Sequence, residues 1–332
     1  MIDLKKKPQI HSNILETSGN TKLLQLKKCF KNNSFNVYGK LEFLNPSGSI
    51  KDRIAIHILE EAMNEGFINK NTTIIESSSG NMALGLAQAC LYLGLKLIVV
   101  VDPKINSHTE KLLETYKVNI VKVNTPDPKG GFLGARLNKV KELLAEVPNS
   151  YWSNQYGNLN NPRTHYQTMN EICESLDHQV DYLFLATSTC GTLMGCAEYI
   201  QQHQLPTKII AVDAKGSVLF GGQPGKRLVP GHGAGVPSQF LELSKITDHT
   251  EVTDLNCIKG CWTLLQQEAI LCGGSTGGVI EAIHNYSPYI PEGSNCVMML
   301  CDRGDRYLDT IYNKEWILEN IEEAQDLGFI NE

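Results

Sequence analysis

The sequence predicts an α/β protein built on parallel sheets. Two observations carry that prediction. Short apolar, β-branched runs alternate along the chain with longer segments of helical period. Four loops of small residues, NPSGSIKD, SSSGNM, STCGTLMG and GGSTGG, fall where a strand hands over to a helix. In open parallel sheets such ends converge on a shared crevice where ligands bind.

Taken in order, VYGKLEF (37–43) reads as a strand. Residues 51–65 read as a helix, with Ile54, Ile58 and Ala62 at four-residue spacing on one face. TTIIES is a strand, 82–93 a helix rich in Ala and Leu, and LKLIVVVD a buried strand. Residues 107–116 form a helix, NIVKVN a strand and 134–147 a helix. A second set follows: YLFLAT strand, 193–203 helix, KIIAVDA strand, helices over 256–267 and 276–283, and NCVMMLC strand. The last thirty residues are charged and amphipathic and read as a closing helix. No internal repeat or low-complexity linker interrupts the series.

Composition narrows the class. The 332 residues suffice for one large or two medium domains with a well-buried core. Hydrophobic residues make up 42% and charged residues 20%, at a net charge of −6 and a pI of about 5.9, with no dense Lys/Arg run; this argues against a nucleic-acid partner. The three lysines of MIDLKKKPQIH are not followed by the apolar stretch of a secretory signal, and no segment approaches the roughly 18 apolar residues of a membrane span. A cytoplasmic location is the expectation. The ten cysteines are scattered without C-x-x-C pairs, which suits buried thiols in a reducing compartment and gives no zinc pattern.

Chemistry concentrates in the four loops. Pro46 and Gly48 set a turn and Ser49 reads as an N-cap, which places Lys51 in the first turn of a helix. The positive helix end lowers the pKa of an amine there and favours the nucleophilic form. A lone lysine at such a place is ordinarily solvated; the other three loops argue for chemistry. Residues 188–192 precede a helix, so backbone amides with the Thr189 and Thr192 hydroxyls suit a phosphate. The nine histidines form no H-x-x-x-H or triad pattern, and His165 reads as a structural residue at a turn or helix start.

NPSGSIKDR resembles the lysine motif of the cysteine synthase family, the fold type II enzymes that use pyridoxal 5'-phosphate (PLP). TSGNTKLLQL, SSSGNM, STCGTLMG, PGHGAGVP, GGSTGG and DRGDRYLD resemble further family segments, so the likeness runs from about Ser18 to Asp309. It implies a tryptophan synthase β-like fold: two open twisted sheets flanked by helices, with the cofactor between a large domain (1–44 plus 152–332) and a small mobile one (45–151). An N-terminal strand should pack on the large domain, and the protein should be a homodimer. The resemblance also implies that Lys51 carries the PLP Schiff base and acts as general base. Ser188, Thr189, Cys190, Gly191 and Thr192 would hold the phosphate, Ser275 the pyridine nitrogen and Asn81 the ring 3'-oxygen. Ser78, Ser79, Gly80, Asn81 and Gln155 would receive the substrate carboxylate, although Ser and Asn in loops are often only turn formers. A neutral hydroxyl at the ring nitrogen biases the chemistry toward β-elimination over transamination.

Several positions depart from the sulfur-assimilating members. Met82 stands in place of Thr, Lys22 in place of Pro, and TMNEI lacks a Gly-Pro. VVDPKI, the Asp127-to-Arg136 segment with its Gly130-Gly131 pair, YWSNQY, VDAKGSVLFG and DRGDRYLD are similar to a narrower branch. That branch joins O-phospho-L-serine to L-glutamate and makes N-(2-amino-2-carboxyethyl)-L-glutamate, a precursor of 2,3-diaminopropionate for siderophores. Arg136, Tyr156 and Ser188 match its substrate-contacting positions, and a guanidinium suits a leaving phosphate. Arg136 can equally be a solvated helix arginine, and Tyr156 a core tyrosine. A cysteine synthase using sulfide is the alternative activity; a non-catalytic protein on the same fold is disfavoured by Lys51, Asn81 and Ser275. No metal site is expected.

Overall fold

The computed structural model describes residues 10–128 and 130–322. Its elements, in chain order, are β1 (Leu23–Gln25), β2 (Asn36–Lys40), α1 (Lys51–Asn64), β3 (Thr73–Ser77), α2 (Asn81–Leu93), β4 (Lys96–Val101), α3 (Ser107–Thr115), β5 (Asn119–Lys122), α4 (Gly131–Glu146) and β6 (Ser150–Trp152). There follow α5 (Asn160–Ser175), β7 (Tyr182–Ala186), α6 (Gly191–Gln202), β8 (Lys208–Ala214), β9 (Asp248–Val252), α7 (Asp254–Glu268), α8 (Gly274–Tyr286), β10 (Asn295–Met299) and α9 (Lys314–Asn320). Two sheets result. The larger has the order β1-β2-β10-β7-β8-β9, parallel except for β1, which runs antiparallel to β2; the smaller has the order β5-β4-β3-β6 and is all parallel.

The apolar runs are continuous because both faces of each sheet are covered. Along β7, β8 and β10, Phe184, Ile210 and Met298 enter one core cluster, while their neighbours Leu183, Ile209 and Val297 enter another on the opposite face. In the small sheet, Ile74 and Val99 pack on one side and Ile75, Ile98 and Val100 on the other. The two-residue period of a strand thus divides one hydrophobic run between two cores.

The α/β alternation and the two sheets match expectation, with five corrections. The strand expected over 37–43 stops at Lys40, and Glu42–Leu44 forms a 3₁₀ turn because Glu42 is drawn into a buried polar network. Helices begin two or three residues earlier than expected at α4, α6, α7 and α8, since glycine or polar residues supply their first turns. The short β6 and the polar edge strand β9 gave too little signal. The closing segment is a 3₁₀ turn over Gly304–Tyr307 followed by α9; residues 323–332 lie outside the described part. Among the described residues no helix is long and apolar enough to cross a membrane.

The largest correction is α5, sixteen residues with no apolar stripe in sequence. Its inward face is polar: Asn161, Thr164, His165, Thr168 and Glu171 are buried beside Met169 and Ile172. Glu171 meets Arg53 of α1 (Nη1 to Oε1, 2.7 Å) and Lys40 of β2 (2.6 Å), while Arg53 Nε meets Glu42 (2.7 Å). The Asn20 amide donates to Glu171 (3.1 Å) and the Thr21 hydroxyl to Glu42 (2.6 Å). Two cations and two carboxylates therefore neutralise one another inside the protein, and every partner carries further hydrogen bonds, as a buried charge requires.

Burial pushes the Glu171 carboxyl up, but the hydrogen bonds and charge of Arg53, then Lys40, outweigh it and hold the group at about 2 against an ordinary 4.5. Its stabilisation is complete above about pH 4.5 and fades as pH falls towards 2. Glu171→Gln should cost about 3 kcal/mol near neutrality, because it leaves buried cations short of a counter-charge. Urea midpoints measured across pH should show the wild-type advantage shrinking below pH 4.5.

Candidate active site

A cavity of about 450 Å³ opens between the two sheets, at the carboxyl ends of their parallel strands. Every residue given a catalytic, cofactor or substrate role from the sequence lines it: Lys51; Ser78, Ser79, Gly80, Asn81 and Met82; Arg136, Gln155 and Tyr156; Ser188, Thr189, Cys190, Gly191 and Thr192; and Ser275. The sequence leaves unassigned several others on the same wall, among them Arg227, His232, Cys301, Asp302 and Tyr307. Asp302 follows the apolar strand β10, so the strand-end rule that found the four loops also points to it.

Lys51 is fixed by its neighbours rather than by the expected cap. The N-cap is Ile50, and the Ser49 hydroxyl accepts from the Lys51 amide (3.2 Å) from one position further back. The loop then zips onto the end of β10: the Ile50 amide donates to the Cys301 carbonyl (2.8 Å) and the Arg303 amide to the Gly48 carbonyl (3.2 Å). Asp52 closes the turn by accepting from the Ser47 amide (2.5 Å).

Burial lowers the pKa of the Lys51 amine; Cys301, Asp302 and Cys190 oppose it. The two thiols are themselves pushed up to about 12 by burial and stay neutral near pH 7; burial also raises the Asp302 carboxyl, against the hydrogen bonds of Tyr307 and Asn81. Asp302 in turn accepts hydrogen bonds from Tyr307 (2.5 Å) and Asn81 (2.7 Å). The Asn81 oxygen accepts from Arg306, which also donates to the Ser47 carbonyl, and the Arg306 carbonyl accepts from Asn106 (3.0 Å). Arg306 is thus a strut tying the Lys51 loop to the starts of α2 and α3.

At the start of α6, Cys190 is in the left-handed region at φ 65°. Among the described residues the amides of Thr189, Cys190 and Thr192 make no hydrogen bond, so they are free for an anionic ligand. Gly191 is required by close approach: a Cβ there would collide with the Asn161 amide. That amide donates to the Gln155 carbonyl (2.7 Å) and the Thr189 hydroxyl (3.2 Å), while its oxygen is buried without a partner. His165 Nε2 meets the Thr192 hydroxyl (3.2 Å) and Nδ1 meets Thr168 (3.2 Å); burial, then the charge of Lys51, holds this ring well below its ordinary pKa, so it stays neutral. His165 stands in the middle of α5, not at a turn or helix start. Ser275 is buried in the first turn of α8, beside the Cys301 thiol.

On the opposite wall Arg136 reaches the Ser79 hydroxyl (3.5 Å) and lies 3.3 Å from Asp102. It is therefore not the solvated helix arginine its position permitted. Met82 is buried in the small-sheet core and offers an apolar wall. Glu76, buried behind the loop, accepts from the Ser153 hydroxyl (2.7 Å) and the Gln155 amide (3.2 Å) and so fixes Gln155. Among the described residues no group of three His, Cys, Asp or Glu is arranged to hold a metal ion.

Residues 14–302 match the family described as "Pyridoxal-phosphate dependent enzyme". The chain belongs to that family. The enzyme is also similar to solved structures. It shares 31% identity with a hydrogen sulfide-producing enzyme of Fusobacterium nucleatum, covering 90% of this chain and 100% of that one at a TM-score of 0.84. With isoform 3 of O-acetyl serine sulfhydrylase from Entamoeba histolytica it shares 29%, over 100% and 98% of the chains at a TM-score of 0.87. With an O-ureido-L-serine synthase it shares 25%, over 96% and 98% at a TM-score of 0.84. The fold is that of the fold type II PLP enzymes, the cofactor is PLP, and the chemistry is β-replacement or elimination.

The donor set fits PLP. A buried lysine without a described ion-pair partner, a helix start with free amides and a serine across the cavity suit an aldehyde, a phosphate and a ring nitrogen. Gly191→Ala should weaken PLP binding about 10-fold or more by overpacking against Asn161. Titration of cofactor-stripped protein, followed by the visible absorbance of bound PLP, measures this.

Proposed function

We propose that the enzyme replaces the phosphate of O-phospho-L-serine with the amine of L-glutamate, releasing phosphate and N-(2-amino-2-carboxyethyl)-L-glutamate, a precursor of 2,3-diaminopropionate for siderophores. The supporting observation is Arg136, a largely buried guanidinium on the cavity wall beside Ser79. A departing phosphate needs such a cation, which acetate does not need to the same degree. Bound PLP supplies the electron sink that lets the α-proton and the β-substituent leave.

The remaining steps fall to the chain. The 78–81 loop and Gln155 orient the substrate carboxylate. Lys51 Nζ, whose pKa burial lowers, accepts the α-proton and later returns it. Ser188 and Tyr156 line the cavity with Arg136 and position the phosphate. Ser275 offers the ring nitrogen a neutral hydroxyl. Closure of a small domain (45–151) on a large one (1–44 plus 152–332) would exclude water, and the active form would be a cytoplasmic homodimer.

A second reading, cysteine synthesis from sulfide, is favoured by the sulfur chemistry named for the Fusobacterium and Entamoeba relatives. The O-ureido-L-serine synthase, by its name, makes a product other than cysteine on a similar fold. Incubation with O-phosphoserine and either glutamate or sulfide, with the products identified by mass spectrometry, separates the two. The glutamate adduct should predominate; cysteine forming far faster would overturn the proposal. Lys51→Ala should lower turnover by about 10²–10⁴-fold or more and abolish the absorbance of the lysine-bound cofactor.

A further inference from the structure

Two arginines line the cavity from different sides. Arg136 comes from α4, packed on the small sheet, and Arg227 from the connection between β8 and β9 of the large one. Their surroundings differ. Arg136 has a carboxylate beside it, Asp102 at 3.3 Å. Among the described residues, Arg227 has no carboxylate within ion-pair range and makes one hydrogen bond, from Nη1 to the His232 carbonyl (3.1 Å). Its Nε is buried without a hydrogen-bond partner.

The surrounding chain is shaped around this side chain. A Cβ on Gly233 would stand 2.8 Å from Arg227 Nη1, and one on Gly235 would stand 3.4 Å from Nη2. Gly233 is the position that leaves this space open: a Cβ there would also crowd Ala214 and Ser217, and its φ is +68°, whereas one at Gly235 would be in ordinary contact. Tyr156 is near both arginines: burial raises its phenol pKa, and the charges of Arg136 and Arg227 oppose that rise. The cavity thus has two cationic places with the Tyr156 ring near each.

The function proposed above uses the 78–81 loop for the first substrate's carboxylate and Arg136 for its phosphate. Arg227 remains, a fork of donors with room for a planar bidentate acceptor. We propose that Arg227 binds a carboxylate of the incoming amino acid and makes the enzyme select an acidic amine donor over a neutral one. This rests on the reading that the second substrate is an amino acid rather than sulfide. Arg227 is a specificity-determining residue and takes no part in proton transfer.

Two half-reactions measured separately on the PLP-loaded enzyme test it. Arg227→Gln should raise the KM for glutamate about 10–100-fold, the loss expected when a charged hydrogen-bonded pair is broken. It should reduce the preference for glutamate over glutamine to a similar degree. Phosphate release in a single turnover with O-phosphoserine alone should stay within about twofold of wild type, a tolerance below 0.5 kcal/mol. Arg227→Lys, which keeps the charge and loses the fork, should recover part of the glutamate KM; it also supplies the comparison if the Gln variant loses bound PLP.

An unchanged glutamate KM in a variant that still forms the adduct overturns the role of Arg227 alone. Slowed phosphate release with an unchanged glutamate KM assigns Arg227 to the first substrate and also overturns it. Wild-type enzyme that releases phosphate but forms no glutamate adduct overturns the function proposed above, and this inference with it.

Discussion

The buried quartet of Lys40, Glu42, Arg53 and Glu171 is the constraint on which the site depends. Arg53 lies two residues beyond Lys51 on the same helix. Its guanidinium bonds Glu42 and Glu171 together, so the first turn of α1 can neither rotate nor slide without breaking hydrogen bonds to both carboxylates. The quartet also pins the 19–21 segment through the Asn20 amide and the Thr21 hydroxyl. Breaking such a cluster leaves an uncompensated charge inside the protein, which costs more than the intact pairs contribute.

From that anchor the site is assembled by contacts distant in sequence. The end of β10 zips onto the loop before Lys51, Arg306 spans to Ser47 and Asn81, and Asn161 packs against the start of α6. Lys51, the free amides at the start of α6 and the serine at the start of α8 therefore belong to separate elements held at fixed separation. Arg306 and Asn106 join the large-sheet side to α2 and α3 of the small-sheet side, so these groups meet where the layers meet.

Much of this is legible in the sequence because cavity walls and cores use different signals. The strand-end loops are written in Gly, Ser, Thr and Asn, and the apolar strands between them keep a two-residue division between cores. All the residues chosen from those loops reach one cavity. Residues acting from behind are not legible. Helix α5 has a polar inner face, so no hydrophobic stripe announces it; Asn161 and Glu171 go unread for that reason, and His165 is read at a turn or helix start instead of mid-helix. Arg227 sits in a connection without helix or strand, and its meaning comes from Gly233, which the sequence shows only as a flexible residue. For Lys51 the helix start was readable, but the dominant cause of its lowered pKa, burial, depends on the folded surroundings.

The place of β10 in the large sheet has a consequence for how the protein comes into being. This strand lies between β2 and β7, and Asn295 pairs with Asn36 across 259 positions of chain. At about 5–20 residues per second, a ribosome needs roughly 13–50 s to deliver the second partner after the first. Until then the large sheet lacks a central strand and the Lys51 loop lacks the segment it zips onto. A nascent chain carries Lys51 from early on, before the segments around Ser275, Cys301 and Asp302 that complete the cavity have been made. The order of the strands thus delays the complete cavity until most of the chain has been made.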